Sequence, residues 1–162
     1  MAGEAPIDYH RTKKIRPMLS RVTLFMVLLA ASVLPLAARQ DTLQELIARA
    51  DAAPPSDRPA LYIEVAEWQL KSADEFYTAG KPDDARAAVN DVVTYSQKAH
   101  DSAIQTEKKL KSTEISIRKM ADRLRDIKRT LNFEDQAPVQ AAADTLEKLR
   151  TDLLAHMFGK GK

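Results

Sequence analysis

The sequence predicts an all-α fold, an antiparallel helical bundle of about four helices built on one long coiled-coil-like helix over about 82–131. Glycine is scarce, with four among 162 residues, and neither Gly nor Pro lies between Pro82 and Pro138. Within that stretch, steps of four and three residues define a seam in which eleven of fourteen positions are apolar and none is charged. The seam consists of Ala85, Val89, Val92, Ser96, Ala99, Ala103, Thr106, Leu110, Thr113, Ile117, Met120, Leu124, Ile127 and Leu131. One continuous helix of this length would extend about 75 Å.

Three shorter helices are predicted around the long one. The first covers about 41–52, where Asp41 can cap its start and a pair of prolines follows its end. The second covers about 57–79 and stops at Gly80. The last covers about 138–157, with Pro138 in its first turn. Because the connections are short, we expect the second helix to pack on the first half of the long helix and the last helix on its second half.

The N-terminal 38 residues have the order of a signal peptide. A basic cluster precedes thirteen uncharged residues at 22–34, and small residues follow at Ala37-Ala38. Residues 1–38 are therefore expected to be a signal peptide or, as the alternative, an uncleaved N-terminal membrane anchor. Residues 1–17 are either a long polar start or lie upstream of a true start at Met18. The remaining chain divides into a helical domain at 39–158 and a frayed tail at 159–162.

The net charge of +2 is misleading about the body of the protein. Five basic and two acidic residues precede position 39, so the remaining 20 basic and 21 acidic residues carry a net charge of −1. Inside the body, 41–107 is acidic, with six basic and thirteen acidic residues, whereas 108–129 has nine basic and three acidic residues. Nucleic acid is not expected as a partner, since the chain is expected to be exported and aromatic residues do not alternate with the basic ones.

The basic stretch is the candidate functional surface. It is interpreted either as the solvated face of a helix or as a surface facing an anion, such as a lipid headgroup, an envelope polymer or an acidic protein. Its residues are Lys108, Lys109, Lys111, Arg118, Lys119, Arg123, Arg125, Lys128 and Arg129. The same charge separation would also allow self-association.

The segment 68–92 carries a short pattern of small, aromatic and glycine residues. The pattern is Ala73, Phe76-Tyr77, Gly80, Asp84-Ala85, Val89 and Val92. In order and spacing it resembles one helical hairpin of the tetratricopeptide repeat family. That resemblance implies a helical hairpin and peptide binding. It ends where the predicted long helix continues beyond the length of such a repeat, and no second copy follows.

No motif of catalysis or cofactor binding is found. The chain has no Cys, and the two histidines of the body, His100 and His156, have neither a second His nor a Glu at ligand spacing. We therefore expect no enzyme activity, no metal site and no cofactor. The sequence favours a periplasmic or secreted interaction or scaffold protein, or one anchored in the inner membrane by its leader. A periplasmic four-helix bundle that binds haem or another small ligand is the alternative. The partners open to this chain are a protein or an anionic envelope component, with membrane contact only through the leader or the basic face.

Overall fold

A computed structural model describes residues 34–159, with side chains from residue 42 onward. The described residues form five α-helices and no strand: α1 Leu34–Ala52, α2 Arg58–Thr78, α3 Pro82–Thr106, α4 Leu110–Thr130 and α5 Phe133–Phe158. The predicted all-α helical bundle is confirmed. None of the described helices is long and apolar enough to span a membrane.

Helices α2 and α3 form the hairpin that their turn residues predict. Gly80 adopts a positive φ of 69°, which glycine tolerates without a Cβ clash. The N–H of Lys81 donates to the Phe76 carbonyl and that of Gly80 donates to the Tyr77 carbonyl. This pair of bonds closes α2 with a Schellman motif. Pro82 then occupies the first turn of α3, where its missing N–H costs no hydrogen bond.

The predicted long helix over 82–131 is wrong in one respect, because it is broken at 107–109. Glu107 and Lys109 both have left-handed backbone angles, with φ of 55° and 61°. Neither residue is Gly, Asn or Asp, the types that usually occupy this region. The helical hydrogen-bond ladder stops at Thr106 and starts again at Leu110, which gives five helices rather than about four.

The chain reverses direction at this break. Arg86 in the first turns of α3 bonds Asp135 in the first turn of α5 at 2.7 Å, and His100 lies 2.8 Å from Asp152 toward the ends of the same helices. These two contacts show that α3 and α5 run parallel. A two-residue connection makes α4 and α5 antiparallel. Helix α4 therefore runs antiparallel to α3, and α2–α5 form an up-down-up-down bundle.

The seam remains the packing face in spite of the break. Eleven of its fourteen residues are buried, and Thr106, Leu110 and Leu131 at the helix ends are half-buried. The seam residues of both helices therefore point into one common core, with Val65 of α2 and Leu146 of α5 fully buried there. The most extensive packing joins α2 to α3 and α4 to α5, which confirms the predicted pairing of neighbours.

Two predicted helix starts are corrected. Helix α5 begins at Phe133 rather than at Pro138, because Asn132 is extended and the Gln136 side chain donates back to the Leu131 carbonyl at 2.9 Å. Helix α1 begins at Leu34, ahead of Asp41. Of the predicted leader at 1–38, residues 1–33 lie outside the described residues and 34–38 belong to α1. From residue 39 onward the described chain forms one compact unit.

Candidate functional site

The nine basic residues of the candidate surface lie on α4 and on the link before it. They divide into two groups according to their neighbours. The four arginines form ion pairs inside the molecule, and Lys128 donates to the Gln140 side chain at 2.6 Å. The other four basic residues have no ion-pair partner within the described part of the chain. They are Lys108, Lys109, Lys111 and Lys119.

Two of the four arginines connect α4 to its neighbours. Arg123 donates to Asp74 of α2 at 2.7 Å. Arg125 lies 2.8 Å from Asp122 on its own helix and 3.3 Å from Glu147 of α5. Arg118 and Arg129 pair with Glu114 and Asp126 of α4 itself, so four of the nine basic residues are paired with carboxylates, two of them across helices. Since the chain folds back at 107–109, the basic stretch lies beside the acidic α2 instead of at the far end of a rod.

A buried carboxylate organises the contact between α4 and α5. Glu114 is only 8% exposed and accepts a hydrogen bond from Arg150 Nε at 2.8 Å. This bond raises the pKa of Arg150, which also donates to Glu147 at 2.6 Å. The bond from Arg150, followed by that from Arg125, lowers the pKa of Glu147 although burial opposes it. Glu114 also lies 3.9 Å from Arg118, one turn later on the same helix. The pairing with Arg150 depends on the antiparallel register of α4 and α5.

Three of the unpaired lysines lie together where α3 turns into α4, and we call Lys108, Lys109 and Lys111 the lysine corner. All three are exposed. The Lys108 N–H makes a long contact of 3.4 Å to Thr106 Oγ1, and the Lys109 carbonyl accepts the Thr113 N–H at 2.8 Å. In these contacts the lysines take part only through backbone atoms. Their three ammonium groups therefore remain available to a ligand.

An exposed aromatic side chain lies at the same end of the bundle. Phe158 is 78% exposed and ends α5. Because α5 runs antiparallel to α4, its last turn lies beside the start of α4 and therefore near the lysine corner. The other large exposed apolar residue of the described chain, Phe133, lies at the opposite end. One end of the bundle thus combines three free positive charges with one exposed aromatic ring.

His100 is the buried titratable residue that the sequence singled out, and the structure places it between two carboxylates. Its Nδ1 lies 2.8 Å from Asp101 and its Nε2 lies 2.8 Å from Asp152 of α5. Both ring nitrogens are therefore engaged in contacts within the protein. The described residues contain no cluster of three or more His, Asp or Glu able to hold a metal ion. The second histidine, His156, has a buried Nε2 without a hydrogen-bond partner in the described chain.

A groove of about 660 Å³ lies between α1 and α2. Trp68 is half-buried and contributes to its wall. The other lining side chains are mostly charged and of both signs, namely Glu45, Glu64 and Glu67 together with Arg49 and Lys71. Such a mixed lining favours no single class of ligand.

No known protein family matches this chain, and no curated protein or solved structure is significantly similar to it. A functional hypothesis therefore rests on the chain's own sequence and geometry.

Proposed function

We propose that this chain is an exported, non-enzymatic interaction protein that docks on an anionic membrane surface through the lysine corner. The observation that carries the proposal is the contrast within one basic stretch. Its arginines are bound to carboxylates of the bundle, whereas Lys108, Lys109 and Lys111 have no ionic partner in the described structure.

The backbone at the corner supports a role beyond stability. Lys109 lies in the left-handed region, which costs a residue with a Cβ roughly 1–2 kcal/mol. A glycine there would avoid this cost. Strained backbone of this kind is frequently associated with a functional site.

A lipid headgroup fits this chemistry better than a planar carboxylate partner. Lysine offers a compact point charge, whereas bidentate recognition of a carboxylate favours arginine. The exposed Phe158 adds an aromatic ring that can insert at the boundary between headgroups and acyl chains. Each lysine near an anionic surface contributes about 1 kcal/mol, so three contribute roughly a hundredfold in binding.

Vesicle sedimentation tests this proposal. The chain from residue 39 onward should bind vesicles rich in phosphatidylglycerol at low salt and bind more weakly at physiological salt, since the Debye length there is about 8 Å. The triple variant Lys108→Glu, Lys109→Glu, Lys111→Glu should lose this binding by roughly a hundredfold or more.

A matched control distinguishes the effect of the lysine corner on binding from the effect of net charge. Lys81, Lys119 and Lys148 are also exposed and also without an ion pair in the described chain, but they are dispersed over α4, α5 and the link before α3. Replacing these three lysines by glutamate changes the net charge by the same amount as the first triple variant. It should preserve most of the vesicle binding. Equal losses in both triple variants, or no binding by the wild type at low salt, would contradict the proposal.

Export rests on the leader alone. If 1–38 is a signal peptide, the protein isolated from cells should have its N-terminus near Arg39 and lack roughly 4 kDa. Mass spectrometry of the isolated protein gives the answer directly. An intact N-terminus in the membrane fraction would instead favour the anchored form, and an intact N-terminus in the soluble cytoplasm would contradict export.

A further inference from the structure

The link at 107–109 reverses the chain with residues that are poorly suited to a turn. Glu107 and Lys109 have left-handed φ angles without being glycine. Lys109 is also the N-cap residue of α4, and it makes no side-chain capping bond. All three residues, Glu107, Lys108 and Lys109, have side chains that are common inside helices.

The seam crosses the link without losing its spacing. Thr106 and Leu110 are four residues apart and Thr113 follows three residues later, which continues the pattern on either side. If 82–131 were one straight helix, the whole seam would lie along one face. Glu107 and Lys111 would then form a favourable pair at i, i+4. The same sequence is therefore compatible with a turn and with a continuous helix.

The bundle consists of two hairpins that the link joins. Packing is most extensive inside the hairpin of α2 with α3 and inside that of α4 with α5. Specific bridges connect one hairpin to the other, namely Arg86 with Asp135, His100 with Asp152 and Arg123 with Asp74. These contacts do not require that both hairpins belong to the same chain.

We infer that this chain forms an exchanged dimer, in which the link straightens and 82–131 becomes one continuous helix. The hairpin α4–α5 of each copy then packs on α2–α3 of a second copy, with the same bridges formed between chains. Each exchange removes two left-handed residues and adds helical hydrogen bonds at the link. Strained short hinges favour exchange of this kind. The inference does not rest on the proposed membrane binding, although the link includes Lys108 and Lys109 of the lysine corner.

Substitutions in the link test it by sedimentation of the protein as isolated from cells. The variant Glu107→Ala, Lys108→Ala, Lys109→Ala keeps the left-handed strain of the turn and favours the helix, so it should raise the dimer fraction. The variant Glu107→Gly, Lys109→Gly relieves the turn and disfavours the helix. It should weaken dimerisation by about tenfold or more, since relief at one residue changes an equilibrium constant by roughly that factor.

A distance measurement distinguishes exchange from association of intact bundles. The chain has no cysteine, so spin labels can be placed at Asn90→Cys and Asp126→Cys, two exposed positions equally far along the chain from the link. On a continuous helix they are about 54 Å apart. In the folded-back bundle they lie at the same level of two antiparallel helices, so the distance between them is much shorter. Doubly labelled protein is diluted with unlabelled protein so that distances within one chain dominate.

The dimer fraction should show the long distance and the monomer fraction the short one. Should the alanine variant aggregate, wild-type dimer obtained by refolding at high protein concentration serves for the same measurement. A dimer that shows only the short distance overturns the inference. So does a folded alanine variant that is no more dimeric than the wild type.

Discussion

At the scale of single residues, two residues close together on one helix can differ completely in burial. Leu124 is fully buried in the core, whereas Lys119 is exposed on α4. The spacing of charged and apolar residues in the sequence predicted Leu124 on the packing face and Lys119 off it. That assignment succeeds because a packed helix must exclude unpaired charge from one face, whichever partner covers that face.

Leu124→Asp should therefore unfold or strongly loosen the domain, since it buries a carboxylate without a partner. We expect a loss of about 4 kcal/mol or more in the free energy of unfolding. Lys119→Asp on the same helix should change it by under about 0.5 kcal/mol. Thermal and urea unfolding of both variants measure the difference, and equal effects would refute the assigned packing face.

Glu147 should make stability depend on pH in the acid range. Its pKa is lowered in the folded state, first by the bond from Arg150. A group with a lowered pKa stabilises the fold above its ordinary pKa, and this contribution is lost as the pH falls through the folded value. Glu147→Gln should thus be less stable than the wild type at pH 7, by under about 1 kcal/mol because the pair is partly exposed. The difference should vanish in strong acid.

The control for this change is Glu67→Gln. Glu67 is exposed on α2 and has no ion pair in the described part of the chain. Its substitution should leave stability nearly unchanged at every pH. A Glu147→Gln variant whose deficit persists at low pH would show that the carboxylate acts through packing and not through its charge.

At the scale of helices, ends were predictable where a special residue marks them. Gly80 ends α2 and Pro82 starts α3, as predicted. The break at 107–109 was not predictable because no Gly or Pro is present and the seam continues across it. Tertiary packing of α5 against both α3 and α4 compensates for the left-handed residues there, and that packing is not visible in local sequence.

Two glycines offer a matched test of how the turns are held. Gly80 has φ of 69° and Gly159 has φ of −79°, and an added Cβ would meet nothing within 4 Å at either position. Gly80→Ala should therefore destabilise the protein by about 1–2 kcal/mol through backbone strain alone. Gly159→Ala should cause no loss. Thermal unfolding of the two variants decides this, and equal stability would show that the turn after α2 does not depend on its left-handed residue.

At the scale of the molecule, the seam and the short connections were enough to predict a helical bundle. They were not enough to predict where the basic stretch lies relative to the other helices. Spacing along the chain located nine basic residues, but only the fold shows that Arg123 pairs with Asp74 and that the lysine corner remains unpaired. The resemblance of 68–92 to a tetratricopeptide hairpin stays a prediction, as do export and the absence of enzymatic activity.

The most direct test of the proposed membrane binding is a residue-by-residue NMR titration of the chain from residue 39 onward with anionic lipid nanodiscs. Binding through the lysine corner predicts that amide signals of 106–111 and of the last turn of α5 change first and return at high salt. Signals of Arg118, Arg123 and Arg129 should change little, because their side chains are already paired. Changes centred on these arginines, or spread evenly over the bundle, would contradict the account.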